Sequence, residues 1–89
     1  MYENNSVVIF GLGYVGCVSL SCLANSGVPT IGFDIDEAKI STVNDGKATI
    51  VEPGLDDLLK KGLDAGLITA TTDANWALKN AEIAMITVG

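Results

Sequence analysis

Histidine is absent from this 89-residue chain, and it has only two cysteines, two prolines and five lysines or arginines. Each scarcity removes a class of function. Cys17 and Cys22 stand five positions apart, about 140° around a helix, so they face different directions. They have neither the Cys-x-x-Cys spacing of a redox pair nor the spacing of a zinc site. They read as two small helix residues packing against a sheet, in a reduced, cytoplasmic protein. The few basic residues are outnumbered by eleven acids, for a net charge of −6. That balance argues against nucleic acid and anionic membrane as partners. No apolar run approaches the ~20 residues of a membrane span. No charged segment precedes the first apolar stretch, so no signal peptide is expected. Internal repeats, low-complexity tracts and linkers are lacking too.

What the chain has is apolar content: 48% hydrophobic residues and a mean hydropathy of +0.40. That suits a parallel sheet covered on both faces. Its length allows one domain, in which roughly 60% of the unfolded surface is buried. Ser6 to Phe10 is a short β-branched run that predicts a buried strand. A helix follows from about Tyr14 to Asn25, with Val15, Val18, Cys22 and Leu23 as its inner stripe and Gly27 just past its end. Thr30 to Phe33 is the next strand, entered from Pro29 and ending at Asp34. Asp36 is placed to cap a helix running to about Val43, closed by the turn Asn44-Asp45-Gly46. Residues 47–54 read as a loop finishing in Glu52-Pro53-Gly54. A third helix covers Leu55 to about Asp64. Its outer face carries Asp56 with Lys60 and Asp57 with Lys61, two acid-to-base pairs at i,i+4. Leu67 to Thr71 is a strand, Asp73 caps a helix through Lys79, and Ile83 to Val88 is the last strand. Strands alternating with helices require crossover connections, hence a parallel sheet.

Gly11-Leu-Gly13-Tyr14-Val15-Gly16 is a G-x-G-x-x-G lying between a predicted strand and a predicted helix. The context matters, because glycines cluster in turns of every kind. Gly11 makes the tight turn out of the strand, Gly13 lets the backbone approach a pyrophosphate, and Gly16 lets the helix lie close to the sheet. The first-turn amides of that helix then face the phosphates. Asp34 follows Gly16 by 18 residues, near the spacing of the acid that accepts hydrogen bonds from a ribose of NAD. Its carboxylate repels the 2′-phosphate of NADP, and no arginine stands next to it. Asp34 as a mere turn residue is the competing reading. Lys39, taken alone, reads as a solvated helix residue.

Phe10 to Gly16, then Asp34-x-x-x-x-Lys39, then Glu52-Pro53-Gly54-Leu55, then Thr71-Thr72-Asp73, then Val88-Gly89 together resemble the UDP-glucose/GDP-mannose 6-dehydrogenase family over essentially the whole chain. Ile50-Val51-Glu52-Pro53-Gly54 is more similar to the GDP-mannose members. The resemblance implies that Tyr14 and Val15 give backbone contacts to the pyrophosphate, that Asp34 holds the adenosine ribose, and that Lys39 sits beside it. It further implies a parent enzyme that oxidises a primary alcohol of a sugar nucleotide to a carboxylate through a thioester, in polysaccharide biosynthesis. The Thr-Pro that follows Val-Gly in the family, the catalytic cysteine with its neighbouring lysine and acid, and the sugar-nucleotide domain are not in this sequence. Cys17 and Cys22 do not correspond to the nucleophile.

The expected fold is therefore α/β: residues 1–89 as a Rossmann-type NAD-binding domain, a parallel sheet in order 3-2-1-4 with helices on both faces, truncated after the fourth strand. Binding of NAD is the expected role, the sugar nucleotide being a partner of the parent alone and the isolated chain inactive. No metal and no catalytic residue are expected. An unpaired apolar edge on the last strand predicts a homo-oligomer. Two alternatives stand beside this reading. One is another dehydrogenase with the same fingerprint, such as a hydroxyacyl or phosphogluconate type. The other is the nucleotide-sensing regulatory module of a potassium transporter, whose simpler β-α-β-α-β has no need of the Glu-Pro-Gly-Leu insertion.

Overall fold

The computed structural model describes residues 6–87. Among these residues the chain runs β1 (Val7–Phe10), α1 (Tyr14–Asn25), β2 (Thr30–Phe33), α2 (Glu37–Asn44), α3 (Leu55–Asp64), β3 (Ile68–Thr71), α4 (Ala74–Lys79) and β4 (Ile83–Ile86), with two helices in succession between β2 and β3. The sheet is wholly parallel, in order β3-β2-β1-β4. The parallel pairing is what the alternation of strand and helix predicts, and the order is the one expected of a Rossmann-type sheet. Val88, the last residue of the expected fourth strand, lies outside the described residues, as does Gly89.

The side-chain alternation of β1 divides the core in two. Val7 and Ile9 face a large cluster with Leu12, Leu20, Val43, Leu59 and Ile68, beneath α1, α2 and α3. Val8 faces the other way, toward Ile31 and Ala77 of α4, with Phe10 and Phe33 alongside. The two phenylalanine rings meet with centroids 5.1 Å apart, within the usual range for aromatic pairs. Three helices thus cover one face and a single short helix covers part of the other.

Local signals explain the boundaries. The Asp36 side chain accepts the Ala38 N–H and opens α2, and the Asp73 side chain accepts the Trp76 N–H and opens α4. Gly27, Gly46 and Gly54 all take positive φ, where a Cβ would be strained. Gly62, in the middle of α3, has another reason. A methyl there would run into Ile68 and touch Ala24, so glycine lets α3 settle against β3 and α1.

Three expectations need correction. The buried residues of α1 are Gly16, Cys17, Leu20, Ser21 and Ala24; of the expected stripe, Val18 and Leu23 pack partly buried against the core, while Val15 and Cys22 are exposed. Apolar residues surround this helix on nearly every side, so hydropathy could not set its rotation. Gly16 sets it, because a Cβ there would collide with the Gly11 carbonyl oxygen. For the same reason only Cys17 packs inward, while Cys22 is exposed. The acid-to-base pairs on α3 do not close either: within 4.0 Å, neither Asp56–Lys60 nor Asp57–Lys61 is found among the described residues. Asp56 Oδ1 instead accepts the Ala48 N–H at 2.8 Å and pins the loop before the helix.

Candidate functional site

The carboxyl ends of β1 and β2 bring the glycine turn and Asp34 together. Gly11 N–H donates to the Phe33 carbonyl at 2.9 Å, which locks the turn to the neighbouring strand. Gly11 then takes φ +105°, and an added Cβ would stand 2.6 Å from the Thr87 carbonyl oxygen. No other residue type fits this position. The turn delivers the chain directly into α1, whose first residues, Tyr14 and Val15, are half exposed at the mouth (52% and 49%).

Asp34 has a more particular place than its spacing revealed. Its Oδ2 accepts the Leu12 N–H at 2.9 Å, and its Oδ1 accepts the Asp36 N–H at 2.9 Å. One carboxylate therefore joins the glycine turn to the start of α2. Burial raises the Asp34 pKa, but the amides of Leu12 and Asp36, the Lys39 ammonium and the Ile35 amide outweigh burial. The net effect holds the group below its ordinary value, ionised at neutral pH. Lys39 Nζ lies 3.9 Å from Oδ2, so the structure brings Lys39 to Asp34 where composition alone left it in solvent. A carboxylate has about four acceptor positions. Two amides take one on each oxygen, which leaves one on each for the hydroxyls of a ligand.

Two threonines were invisible to motif reading. Thr87 Oγ1 donates to the Gly11 carbonyl at 2.7 Å, and Thr49 Oγ1 donates to the Leu12 carbonyl at 2.7 Å. Both lie far from the turn in sequence, and neither belongs to a spacing pattern. Nothing short of the folded chain could reveal them. With these bonds made, the amides of Gly13, Tyr14, Val15 and Gly16 meet no acceptor among the described residues, whereas the Cys17 N–H already donates to the Gly13 carbonyl. Four free donors at the opening of a helix form a cradle for an anion. Next to it is a carboxylate suited to hydroxyls. A dinucleotide, phosphates joined to a ribose, fits both. A groove formed by the end of α2, the loop after it and the start of α3, lined by Thr42, Lys47, Ile50, Glu52 and Asp56, includes neither feature.

The sequence profile of the UDP-glucose/GDP-mannose dehydrogenase family, NAD binding domain, matches residues 5–89. The chain belongs to this family. Among its relatives, the GDP-mannose 6-dehydrogenase of Pseudomonas syringae pv. tomato is 48% identical over 83 residues, covering 93% of this chain and 19% of that protein. The UDP-glucose 6-dehydrogenase of Bacillus subtilis is 40% identical over 83 residues, covering 93% of this chain and 18% of the relative. A crystal structure of a ternary complex of GDP-mannose dehydrogenase from Pseudomonas aeruginosa superposes with a TM-score of 0.91 at 44% identity, covering 93% of this chain and 19% of that one. The chain thus spans about a fifth of the length of the relatives it matches. The parallel sheet described above is the fold of that family's NAD-binding domain.

Proposed function

We propose that this chain is the first part of the NAD-binding domain of a nucleotide-sugar 6-dehydrogenase, acting on GDP-mannose or UDP-glucose and yielding the uronic acid. The carrying observation is the shared position of the Asp34 carboxylate and the free amides of residues 13–16, joined by the Leu12 N–H at 2.9 Å. In this reading Gly11 and Gly16 shape the turn, while Gly13, Tyr14 and Val15 present their amides to the pyrophosphate. Asp34 accepts the adenosine ribose hydroxyls and Lys39 steadies the carboxylate. NAD supplies hydride acceptance when bound, and this part of the fold selects and orients it. No residue of the chain is assigned to the chemical step, so the 89 residues alone turn over no sugar nucleotide. GDP-mannose is the preferred substrate of the parent, supported by 48% identity to a GDP-mannose enzyme against 40% to a UDP-glucose enzyme. Formation of a uronic acid supports a role for the parent in polysaccharide synthesis, and we read the parent as a cytoplasmic enzyme. No helix of the described residues is long and apolar enough to cross a membrane.

Calorimetric or NMR titration with NAD, ADP-ribose and NADP tests this reading. NAD and ADP-ribose should bind. NADP should bind at least about tenfold more weakly, since its 2′-phosphate meets an ionised, largely buried carboxylate. Equal affinity for NAD and NADP would remove Asp34 from the site and leave it as a turn residue.

A further inference from the structure

We propose that Thr49 is a positioning residue that aims the Gly13 amide at the pyrophosphate. The inference rests on the NAD-binding reading. It starts from the geometry of one peptide unit. In a trans peptide the carbonyl and the N–H of the same plane point in opposite directions. The Leu12 carbonyl and the Gly13 N–H share such a plane. Thr49 Oγ1 draws that carbonyl toward the loop at 2.7 Å, so the Gly13 N–H points away from the loop, where it meets no acceptor among the described residues.

The preceding plane, Gly11–Leu12, is fixed at both ends. Thr87 holds its carbonyl at 2.7 Å and Asp34 holds its N–H at 2.9 Å. The Leu12–Gly13 plane has no such pair of anchors, because its N–H is free. Its carbonyl depends on Thr49, with the Cys17 thiol as a longer second contact at 3.7 Å. Cys17 Sγ also lies 3.3 Å from Thr49 Oγ1. Since Thr49 gives its proton to the carbonyl, the single thiol proton is divided between the Thr49 hydroxyl and the Leu12 carbonyl, and the thiol packs against both partners of that bond. The loop bearing Thr49 is itself tethered. Ala48 N–H donates to Asp56 Oδ1, and the Ala48 and Ile50 side chains pack on the main core. The loop between α2 and α3 thereby acts on the phosphate cradle without touching the ligand.

The test compares Thr49→Val and Thr49→Ser in the 89-residue chain. Valine keeps the branched shape and loses the hydroxyl; serine keeps the hydroxyl. Binding of ADP-ribose and of adenosine is followed by NMR titration, and the Gly13 amide resonance is recorded without ligand. Thr49→Val should weaken ADP-ribose about three- to tenfold, the worth of one oriented hydrogen bond. It should leave adenosine unchanged, since adenosine has no phosphate, and should shift the Gly13 amide. Thr49→Ser should restore both. Unaltered ADP-ribose affinity in Thr49→Val, or an equal loss for adenosine and ADP-ribose, overturns the positioning role while NAD binding stands. An unmodified chain that binds neither ligand overturns the NAD reading, and the role of Thr49 falls with it.

Discussion

Replacing Asp34 should damage the fold before any ligand is added. Its carboxylate is 12% exposed and holds two backbone amides, each at 2.9 Å. The bond from Leu12 is partly buried, and losing a charged acceptor there costs about 1.5–2 kcal/mol. The bond from Asp36 is exposed, so water recovers much of it and about 0.5–1 kcal/mol is lost. Lys39, at 3.9 Å and 40% exposed, adds little. Asp34→Ala should therefore lose about 2–3 kcal/mol, against a total stability of about 4–13 kcal/mol for a chain of this length. At roughly 4–8 °C per kcal/mol, the ligand-free melting temperature should fall by about 10–20 °C. Asp34→Asn keeps one acceptor but turns an NH2 toward the second amide, so it should fall by an intermediate amount. Thermal melting followed by circular dichroism, without nucleotide, measures both. The pH dependence follows from the lowered pKa. Stability that Asp34 contributes is fully present above the ordinary carboxylate value near about 4. It is lost as pH falls through the lower folded value, so the gap between unmodified and Asn chains should narrow in that acid range. A ligand-free melting temperature of Asp34→Ala within about 2 °C of the unmodified chain would refute the reasoning, because the two amides would then gain nothing from the carboxylate.

Gly16→Ala forces a methyl against the Gly11 carbonyl oxygen; such overpacking costs about 1–3 kcal/mol or more, so melting should drop by at least about 5 °C and nucleotide binding should be lost. β4 exposes Ile83, Met85 and Ile86 and has β1 as its sole partner strand among the described residues, which invites pairing with another copy. Light scattering should show association that rises with concentration, and Ile86→Lys should suppress it with little change in stability; a clean monomer at high concentration counts against this surface. A thiol reagent should modify exposed Cys22 quickly and buried Cys17 only when the chain opens. Mass spectrometry of partly labelled protein distinguishes the two sites, and simultaneous labelling would contradict the observed rotation of α1.

The readable parts of this fold were those governed by neighbours in sequence. The caps at Asp36 and Asp73, the turn at Gly27 and the period change between strand and helix all act within a few residues. Parallel pairing then follows from the crossover connections, and the strand order from the Rossmann-type fold that the glycine turn indicates. The rotation of α1 was not readable from hydropathy, because apolar residues occur around its whole circumference. It is decided by steric contact between Gly16 and Gly11, which the fingerprint contained but the apolar stripe obscured. In the site, spacing indicated that Asp34 would approach the turn. It gave no sign that one oxygen would grip Leu12 and the other Asp36. Thr49, Thr87 and the diversion of Asp56 to Ala48 depend on where loops come to rest, and a single polar side chain in a loop leaves no periodic trace.

The sheet order also constrains when these four strands can come together as the chain emerges from the ribosome. β1 is made first and lies inside the sheet, yet one of its edges is closed only by β4, through the pairing of Val7 with Ile83. Until β4 is synthesised, that edge of Val7 to Phe10 presents an open row of amides and carbonyls beside apolar side chains. Nascent chains are at their stickiest in such a state. Thr87 adds to the delay, since the carbonyl it holds on Gly11 belongs to the glycine turn. The turn is encoded by residues 11–16, but its geometry is settled in part by Thr87, 76 positions beyond Gly11.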